Sequence, residues 1–528
     1  MKSTACPLDC FDACKVIYED NKLKPSRDFI TNGKLCVPFA LMNKEKNLQD
    51  KNINNTLETL VKKLKEPNKS ILYYKGTGNM GVMQNIPKLF FEKAGATFAS
   101  GGICDEAGAS GIEMGRKYNV NPDIDDLLQS EYIIVWGRNL TQTSKHIYNL
   151  IKDKKFITID PVQIPIAKES EFFFQLKPKG DYLFASLLLE YLQNQTINFT
   201  ALQSLNINKE DFINVCEILE HKKVSFMLGL GAQKYKKGAQ IFHEMDKLFF
   251  YLGLFEGRNK GVWYLGDSKY RFDDNISISP TKTCGYADVK FDEYDIVFIQ
   301  GANPVCSAMN TQKIKKELSN TFVIVMGTRD DETVEFADLV IPAKTYLQKR
   351  DVRLAYSHDE IMECEVCQET DKAISEYELT RYLFDAFNYE GLLDEEEYLS
   401  NFRKIVRNKP TIQFKPQVTP KVEILECKND EVYFLTSKSK GNINSQFDGD
   451  EYCYLHPSFG FDNGDIVEIK SSIGSLQLKI KNDENIIKNA VVCYAGNKKI
   501  NQIIPNIVSD YGACGSYQDF TVQVNKIV

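Results

Sequence analysis

Long apolar runs are missing from this sequence of 528 residues. No stretch of 18 or more uninterrupted apolar residues occurs, so we expect no membrane-spanning helix. An excess of basic residues is missing too, because 72 Asp and Glu outnumber 65 Lys and Arg. A nucleic-acid surface would need a basic face. The sequence therefore predicts neither a membrane span nor a nucleic-acid partner.

The start of the sequence lacks both an apolar signal segment and a twin-arginine pair, and cysteines begin at Cys6. These features predict a cytoplasmic protein. Histidine is scarce, and the five histidines form no ligand spacing. Cysteine is plentiful, with 14 residues, and thiols rarely form disulfides in a reducing compartment. We therefore interpret clustered cysteines as metal ligands or reactive thiols.

Four cysteines near the start, Cys6, Cys10, Cys14 and Cys36, follow the spacing C-x3-C-x3-C-x21-C. Four thiolates can hold a [4Fe–4S] cube, with one thiolate on each iron. Tetrahedral zinc also accepts four thiolates. Zinc sites usually come as paired C-x2-C knuckles, however, and that pairing is absent here. The spacing favours the cluster and leaves zinc as the alternative.

The middle of the chain contains two segments with the same order of features. In the first, a β-branched run ends at Gly-x-Asn (137–139), and the next such run ends in an acid at 160. In the second, Gly-x-Asn falls at 301–303 and the acid at 330. Continuous apolar runs flanked by helices are typical of parallel strands covered on both faces. The pattern predicts a duplicated α/β unit.

The polar residues at these strand ends suit a nucleotide. Glycine lets the backbone approach a ligand closely, and asparagine offers both a donor and an acceptor. An acid at the end of the next strand can accept from a ribose hydroxyl or a guanine edge, and ligands of open α/β sheets sit beyond the carboxyl ends of the strands. Two units suggest two nucleotide-like ligands; the alternative is a duplicated scaffold with ordinary turns. Gly229 and Gly231 close a further strand, a pattern more typical of a simple turn.

The C-terminal part changes character after about residue 430. Short strands are separated by turns such as Asn463-Gly464-Asp465, which is the pattern of a small β-barrel. The preceding segment, 408–421, holds three prolines and is interpreted as a linker.

These motifs, in this order, resemble the molybdopterin oxidoreductase family, also called the dimethyl sulfoxide reductase family. The resemblance spans essentially the whole chain and rests on motifs at 6–14, 33–36, 135–143, 159–161, 301–304, 328–333, 337–342, 463–467 and 506–510. It implies two pyranopterin guanine dinucleotides that hold one Mo or W atom, together with the [4Fe–4S] cluster. It also implies four domains. An iron–sulfur domain spans 1–52, and a pterin-covering β-barrel spans 425–528. Between them, an α/β domain over 131–259 carries the first nucleotide-binding half, and a discontinuous α/β domain over 53–130 and 260–407 carries the second.

The resemblance also implies a set of functional residues. The cluster ligands would be the four cysteines already named. The candidate cofactor-binding residues are Gly137, Asn139, Thr143, Asp160, Gly229, Gly231, Gly301, Asn303, Thr328, Asp330, Asn506 and Asp510. In this family the metal often takes one protein side chain, and the best match is Cys104, since a thiolate suits a metal already bound by sulfur. Alternatively Cys104 merely packs in its loop, or Asp105 or Ser110 takes the position.

Two positions depart from the family pattern. Formate dehydrogenases of the family place His directly after the metal ligand, where this chain has Asp105. Many members carry Lys two residues after the fourth cluster cysteine, where this chain has Pro38. The first departure argues against formate oxidation, and the second leaves the electron route open.

The expected function is that of a cytoplasmic enzyme. It would carry out two-electron redox or oxygen- or sulfur-atom transfer on a small-molecule substrate, with electrons relayed through the cluster to a ferredoxin-like subunit or a soluble carrier. The alternative is a non-catalytic iron–sulfur electron-transfer subunit that resembles the large iron–sulfur subunit of complex I. The short chain and Pro38 favour the alternative, whereas Cys104 and the two nucleotide-type halves oppose it.

Overall fold

A computed structural model describes residues 1–42, 47–428, 430–438 and 450–527. Within these ranges, every helix is too short or too polar to cross a bilayer. The strands along the chain are β1 (Lys2–Ala5), β2 (Lys15–Glu19), β3 (Lys22–Pro25), β4 (Ile71–Lys75), β5 (Thr97–Ser100), β6 (Tyr132–Trp136), β7 (Lys155–Ile159), β8 (Phe172–Phe174), β9 (Val224–Leu228), β10 (Gly261–Trp263), β11 (Thr283–Gly285), β12 (Ile296–Gln300), β13 (Phe322–Gly327), β14 (Leu339–Pro342), β15 (Asp351–Arg353), β16 (Met362–Cys364), β17 (Val432–Leu435), β18 (Tyr452–Leu455), β19 (Ile466–Lys470), β20 (Ser475–Asn482), β21 (Ala490–Val492) and β22 (Thr521–Lys526).

The α-helices alternate with these strands through the first 400 residues. They are α1 (Val37–Met42), α2 (Ile53–Leu64), α3 (Pro87–Lys93), α4 (Glu106–Arg116), α5 (Ile124–Leu128), α6 (Leu140–Thr143), α7 (Lys145–Ile151), α8 (Pro165–Lys168), α9 (Asp181–Asn194), α10 (Phe199–Ser204), α11 (Lys209–His221), α12 (Gly238–Tyr251), α13 (Pro304–Ser307), α14 (Thr311–Leu318), α15 (Glu376–Phe387) and α16 (Glu395–Ser400).

Two parallel sheets form the body of the molecule. The first has the strand order β10-β9-β6-β7-β8, and the second has the order β11-β5-β4-β12-β13-β14. Every residue of β6, β9 and β12 is buried, because helices cover both faces of each sheet. The predicted duplicated α/β unit is thereby confirmed.

Each sheet has a point where the strand order reverses. In the first sheet the chain runs outward from β6 through β7 to β8, then returns to the other side of β6 with β9 and β10. In the second it runs from β4 through β5 to β11, and then from β12 through β13 to β14. The reversals therefore fall between β6 and β9 and between β4 and β12. Ligands of open α/β sheets bind outside the strand ends at such points.

The two ends of the chain complete the fold. β1, β2 and β3 form a small antiparallel sheet, and the loop between β1 and β2 carries the first three cysteines. The strands β17-β21-β18-β20-β19-β22 close into a barrel, packed around buried apolar residues. The predicted multidomain α/β fold with a C-terminal barrel is confirmed by this architecture. The domain boundaries given above stay predictions.

Candidate functional site

A cavity of about 1260 Å³ lies where the two sheets, the cysteine loop and the barrel meet. Its wall includes the carboxyl ends of β6 and β9 in the first sheet and of β4 and β12 in the second. Both points of strand-order reversal therefore face one space. The volume exceeds the 300–1,000 Å³ of common small-molecule sites, so the cavity suits an unusually large ligand.

Glycines allow the backbones of neighbouring loops to approach closely at both points of strand-order reversal. A Cβ on Gly229 would overlap the carbonyl oxygen of Gly137, and a Cβ on Gly76 would overlap that of Gly301. Gly137 and Gly301 themselves adopt positive φ of 61° and 55°, which favours glycine. The same crowded glycine pair thus occurs once in each sheet and leaves exposed backbone facing the cavity.

The structure brings most of the predicted site residues together. Those that line the cavity are Cys104, Gly137, Asn139, Thr143, Asp160, Gly229, Gly231, Gly301, Asn303 and Thr328. Three predicted cofactor-binding residues lie outside the lining, as do the four cluster cysteines. Asp330 is exposed, and the next residue, Asp331, faces the cavity in its place. Asn506 and Asp510 lie in the C-terminal domain away from the wall, and Asp510 accepts a hydrogen bond from Gln240 at 3.2 Å.

The asparagines of the two Gly-x-Asn motifs organise the turns behind the cavity. Asn303 donates to Glu332 Oε2 at 2.8 Å and accepts from the Thr333 hydroxyl at 2.8 Å. Asn139 accepts from the Thr141 hydroxyl at 2.9 Å. Each asparagine is therefore held by a threonine hydroxyl, and both asparagines line the cavity.

Three half-buried acidic side chains, Asp160, Asp181 and Asp331, line the cavity. Burial raises the pKa of Asp160 to about 7 and that of Asp331 to about 6, although both carboxylates accept backbone N–H groups. Burial also raises the pKa of Asp181, which accepts from the indole N–H of Trp136 at 2.7 Å. Such carboxyls are ready acceptors for hydroxyl and amino groups of a ligand.

The cysteine loop forms the wall of the cavity nearest the N-terminus. Pro7, Asp9 and Phe11 line the cavity, and the Cys6 N–H donates to the Cys14 carbonyl at 2.9 Å. The loop is also tied to the first sheet, because Cys10 Sγ lies 3.4 Å from the carbonyl oxygen of Thr143. The thiols therefore sit directly behind the cavity wall.

The four N-terminal thiols share one apolar pocket. Cys6 and Cys14 are buried, and Cys10 and Cys36 pack against the same cluster of side chains. Burial raises the pKa of each thiol, and the neighbouring thiols raise it further for all but Cys36. Among the described residues, no three His, Cys, Asp or Glu side chains are arranged to hold a single metal ion. A cubane takes one thiolate on each of four irons, so its four thiols need not converge on a single point.

Cys104 also lines the cavity and lies in the loop that leads into α4. Its carbonyl accepts from Gln233 and, at 2.9 Å, from Lys234 Nζ, and Gln233 also accepts from the Gly108 N–H at 2.8 Å. Burial, Asp105 and Asp9 raise the pKa of its thiol, whereas Lys438 and Lys234 lower it.

Several residues of the cavity were not predicted from the sequence. The loop after β4, Gly76 to Gly81, forms part of the wall, as do Asp181, Asp331 and Arg138. The glycines that follow β4 were the sequence signal for this loop. They indicate a binding site only because β4 lies beside β12, and the sequence does not show that pairing. Arg138 is the middle residue of a Gly-x-Asn motif, where the pattern itself allows any side chain.

Comparison with known proteins agrees with the geometry. The family model described as "Molybdopterin oxidoreductase" matches residues 51–386. The probable oxidoreductase YyaE of Bacillus subtilis is 22% identical over 92% of this chain and 81% of its own length. The F420-dependent formate dehydrogenase subunit alpha of Methanocaldococcus jannaschii is 22% identical over 43% of each chain.

A solved structure matches over the full length of both chains. Acetylene hydratase from Pelobacter acetylenicus superimposes with a TM-score of 0.73 at 12% identity, which establishes a shared fold. The family model covers well over half of the sequence. The chain therefore belongs to the molybdopterin oxidoreductase family, and it is an enzyme that uses a molybdopterin cofactor with molybdenum or tungsten.

Proposed function

We propose that this enzyme holds two pterin guanine dinucleotides across the cavity and a [4Fe–4S] cluster on Cys6, Cys10, Cys14 and Cys36. Its reaction would be a two-electron oxidation or reduction, or an oxygen- or sulfur-atom transfer, on a small molecule. The observation that supports this most strongly is the single cavity that joins both points of strand-order reversal. A ligand with two nucleotide ends needs two such points facing one space.

The residues present fit that cofactor. The two crowded glycine pairs leave room that a Cβ would fill, and half-buried acids beyond the strand ends line the cavity and could accept from a guanine or ribose. Gly137, Asn139, Asp160 and Gly229 would hold one nucleotide. Gly76, Gly301, Asn303 and Thr328 would hold the other. When bound, the cofactor supplies the electron-pair chemistry and the cluster supplies single electrons.

Cys104 is the proposed protein ligand of the metal. Its loop is fixed by Gln233 and Lys234 through the backbone carbonyl, so the side chain is left to face the cavity. A metal would lower the pKa of this buried thiol and keep it as thiolate. Asp105 and Asp9 lie near the same thiol, and Tyr356 donates to Asp9 Oδ1 at 3.5 Å, so polar groups surround the position where a substrate would meet the metal.

The partners and compartment are part of the same proposal. A ferredoxin-like subunit or a soluble carrier would exchange electrons with the cluster. None of the fourteen cysteines, all of which lie in the described residues, forms a disulfide. This suits a reducing compartment, and we place the protein in the cytoplasm.

Elemental analysis of anaerobically purified protein tests the proposal. We expect about four Fe per chain, one Mo or W, a fluorescent pterin after oxidation, and GMP released by mild acid. Iron without Mo, W or pterin would favour the non-catalytic electron-transfer alternative. Zinc in place of iron would refute the assignment of the four cysteines.

A further inference from the structure

Two arginines are buried against the cysteine loop. Arg138 is 7% exposed and Arg353 is 2% exposed. They approach the loop from different elements, since Arg138 follows β6 and Arg353 ends β15. Arginines are seldom buried without a paired anion, because removal of the cation from water is costly.

Arg138 connects the loop to the cavity. Its guanidinium lies 4.0 Å from the ring centroid of Phe11, the residue after Cys10. It donates to the Leu228 carbonyl at 3.0 Å and to the Ser144 hydroxyl at 3.0 Å. Its Nε has no hydrogen-bond partner among the described residues, and the side chain lines the cavity.

Arg353 holds the other flank of the loop. It donates to the Leu8 carbonyl at 2.8 Å and to the Asn79 carbonyl at 3.2 Å. Its Nε also lacks a partner within the described residues. Its guanidinium is close enough to Cys6 for the two groups to interact electrostatically, as Arg138 is to Asp12.

Neither arginine has a carboxylate at salt-bridge distance in the described part of the chain. The acid that faces Arg138 is Asp12, whose carboxylate instead accepts the His146 N–H at 2.7 Å. The other ionisable groups that face Arg138 are Cys10 and Tyr264. The acidic groups that face the two cations therefore include Asp12 and two thiols of the cysteine loop, Cys10 beside Arg138 and Cys6 beside Arg353.

We infer that Arg138 and Arg353 are fixed counter-cations of the cluster and raise its reduction potential. This inference rests on the proposed assignment of the four cysteines. A cubane with four thiolates carries net negative charge, and one-electron reduction adds one further negative charge. A buried cation in a medium of low dielectric constant stabilises the more negative, reduced form. Both arginines therefore act through the electrostatic potential at the cluster, and neither is a catalytic residue.

A redox titration of the anaerobic holoenzyme with dithionite and mediators tests this, with the reduced cluster followed by electron paramagnetic resonance. At the potential where half of the wild-type cluster is reduced, Arg138→Gln and Arg353→Gln should each lower the ratio of reduced to oxidised cluster at least tenfold. For a one-electron couple this is a shift of about 59 mV to lower potential. In Arg138→Lys and Arg353→Lys the ratio of reduced to oxidised cluster should stay within about threefold of the wild-type ratio. Arg381→Gln is the control and should also stay within that range, because the Arg381 guanidinium donates to the Tyr377 hydroxyl and not to the cysteine loop.

The outcomes separate this inference from the proposed function. Wild-type protein without iron would refute the cluster itself. Intact clusters with unchanged potentials in both Gln variants would overturn the role of the arginines, and so would equal shifts in the Gln and Lys variants. If the Gln variants lose iron while the Lys variants keep it, positive charge is needed to retain the cluster, which supports the inference. Loss of iron from all four variants would show that charge alone does not explain these residues and would overturn it.

Discussion

Cys104 tests the proposed metal ligation at the scale of one residue. Replacement of its thiol by Ser or Ala should remove one sulfur from the coordination of Mo or W, because the loop backbone that presents it is fixed independently by Gln233 and Lys234. X-ray absorption at the metal edge measures the number of sulfur neighbours. Cys284→Ala is the matched control, since Cys284 is also half-buried but lies outside the cavity lining. An unchanged sulfur count in the Cys104 variants would remove this residue from the metal's coordination.

Asp160 makes a pH-dependent contribution to stability. Burial raises its pKa in the folded protein to about 7, so the folded state binds a proton that the unfolded state has released. Stability contributed by this group is present below about pH 4 and is lost as the pH rises to about 7. Asp160→Asn should therefore stabilise the protein at pH 8 by on the order of 2 kcal/mol, since cavity water screens part of the charge.

Thermal unfolding at pH 4.5 and pH 8 measures this difference. The variant and wild type should unfold at similar temperatures at pH 4.5, and the variant should unfold at the higher temperature at pH 8. A difference of the same size at both pH values would mean that ionisation of Asp160 is not its cause.

At the scale of elements, the crowded glycines set how closely strand ends approach. Gly229→Ala would push a methyl group into the Gly137 carbonyl, and such overpacking costs typically 1–3 kcal/mol. We expect a lower unfolding temperature and less bound pterin per chain. Gly474→Ala is the control, because Gly474 lies outside the cavity lining and its methyl group would have no neighbour closer than 3.9 Å. Equal losses in both variants would show that close approach at Gly229 is not required.

The sequence was most informative for elements whose burial is complete. The runs at β6, β7, β12 and β13 read as strands because helices cover both faces of their sheets, so nearly every residue is apolar. For the same reason the sequence predicted residues that adjoin those strands, such as Gly137 and Gly301, and both line the cavity. Asp330 illustrates the limit, since the turn after β13 presents Asp331 to the cavity instead.

At the scale of the whole molecule, the cofactor should contribute to the stability of the assembly of domains. The cavity is walled by both sheets, the cysteine loop and the barrel, so a ligand that fills it contacts each of them. A ligand at 1,000 times its Kd stabilises the folded state by about 4 kcal/mol. Protein from cells unable to make pterin should therefore unfold at a lower temperature and be cleaved faster by protease than holoenzyme. Equal unfolding temperatures and cleavage rates would contradict a cofactor that joins the domains.

The sequence by itself determined the fold class, the two strand–glycine–asparagine units, the four-cysteine spacing and the family, because these depend on local composition and on spacing along the chain. Only the tertiary structure decided that both points of strand-order reversal face one cavity and that the β4 loop lies beside Gly301. It also decided that Arg138 and Arg353 are buried beside the cysteine loop. These facts depend on strand order and on burial between residues hundreds of positions apart, where the energy of a charge is set by neighbours that no local pattern specifies.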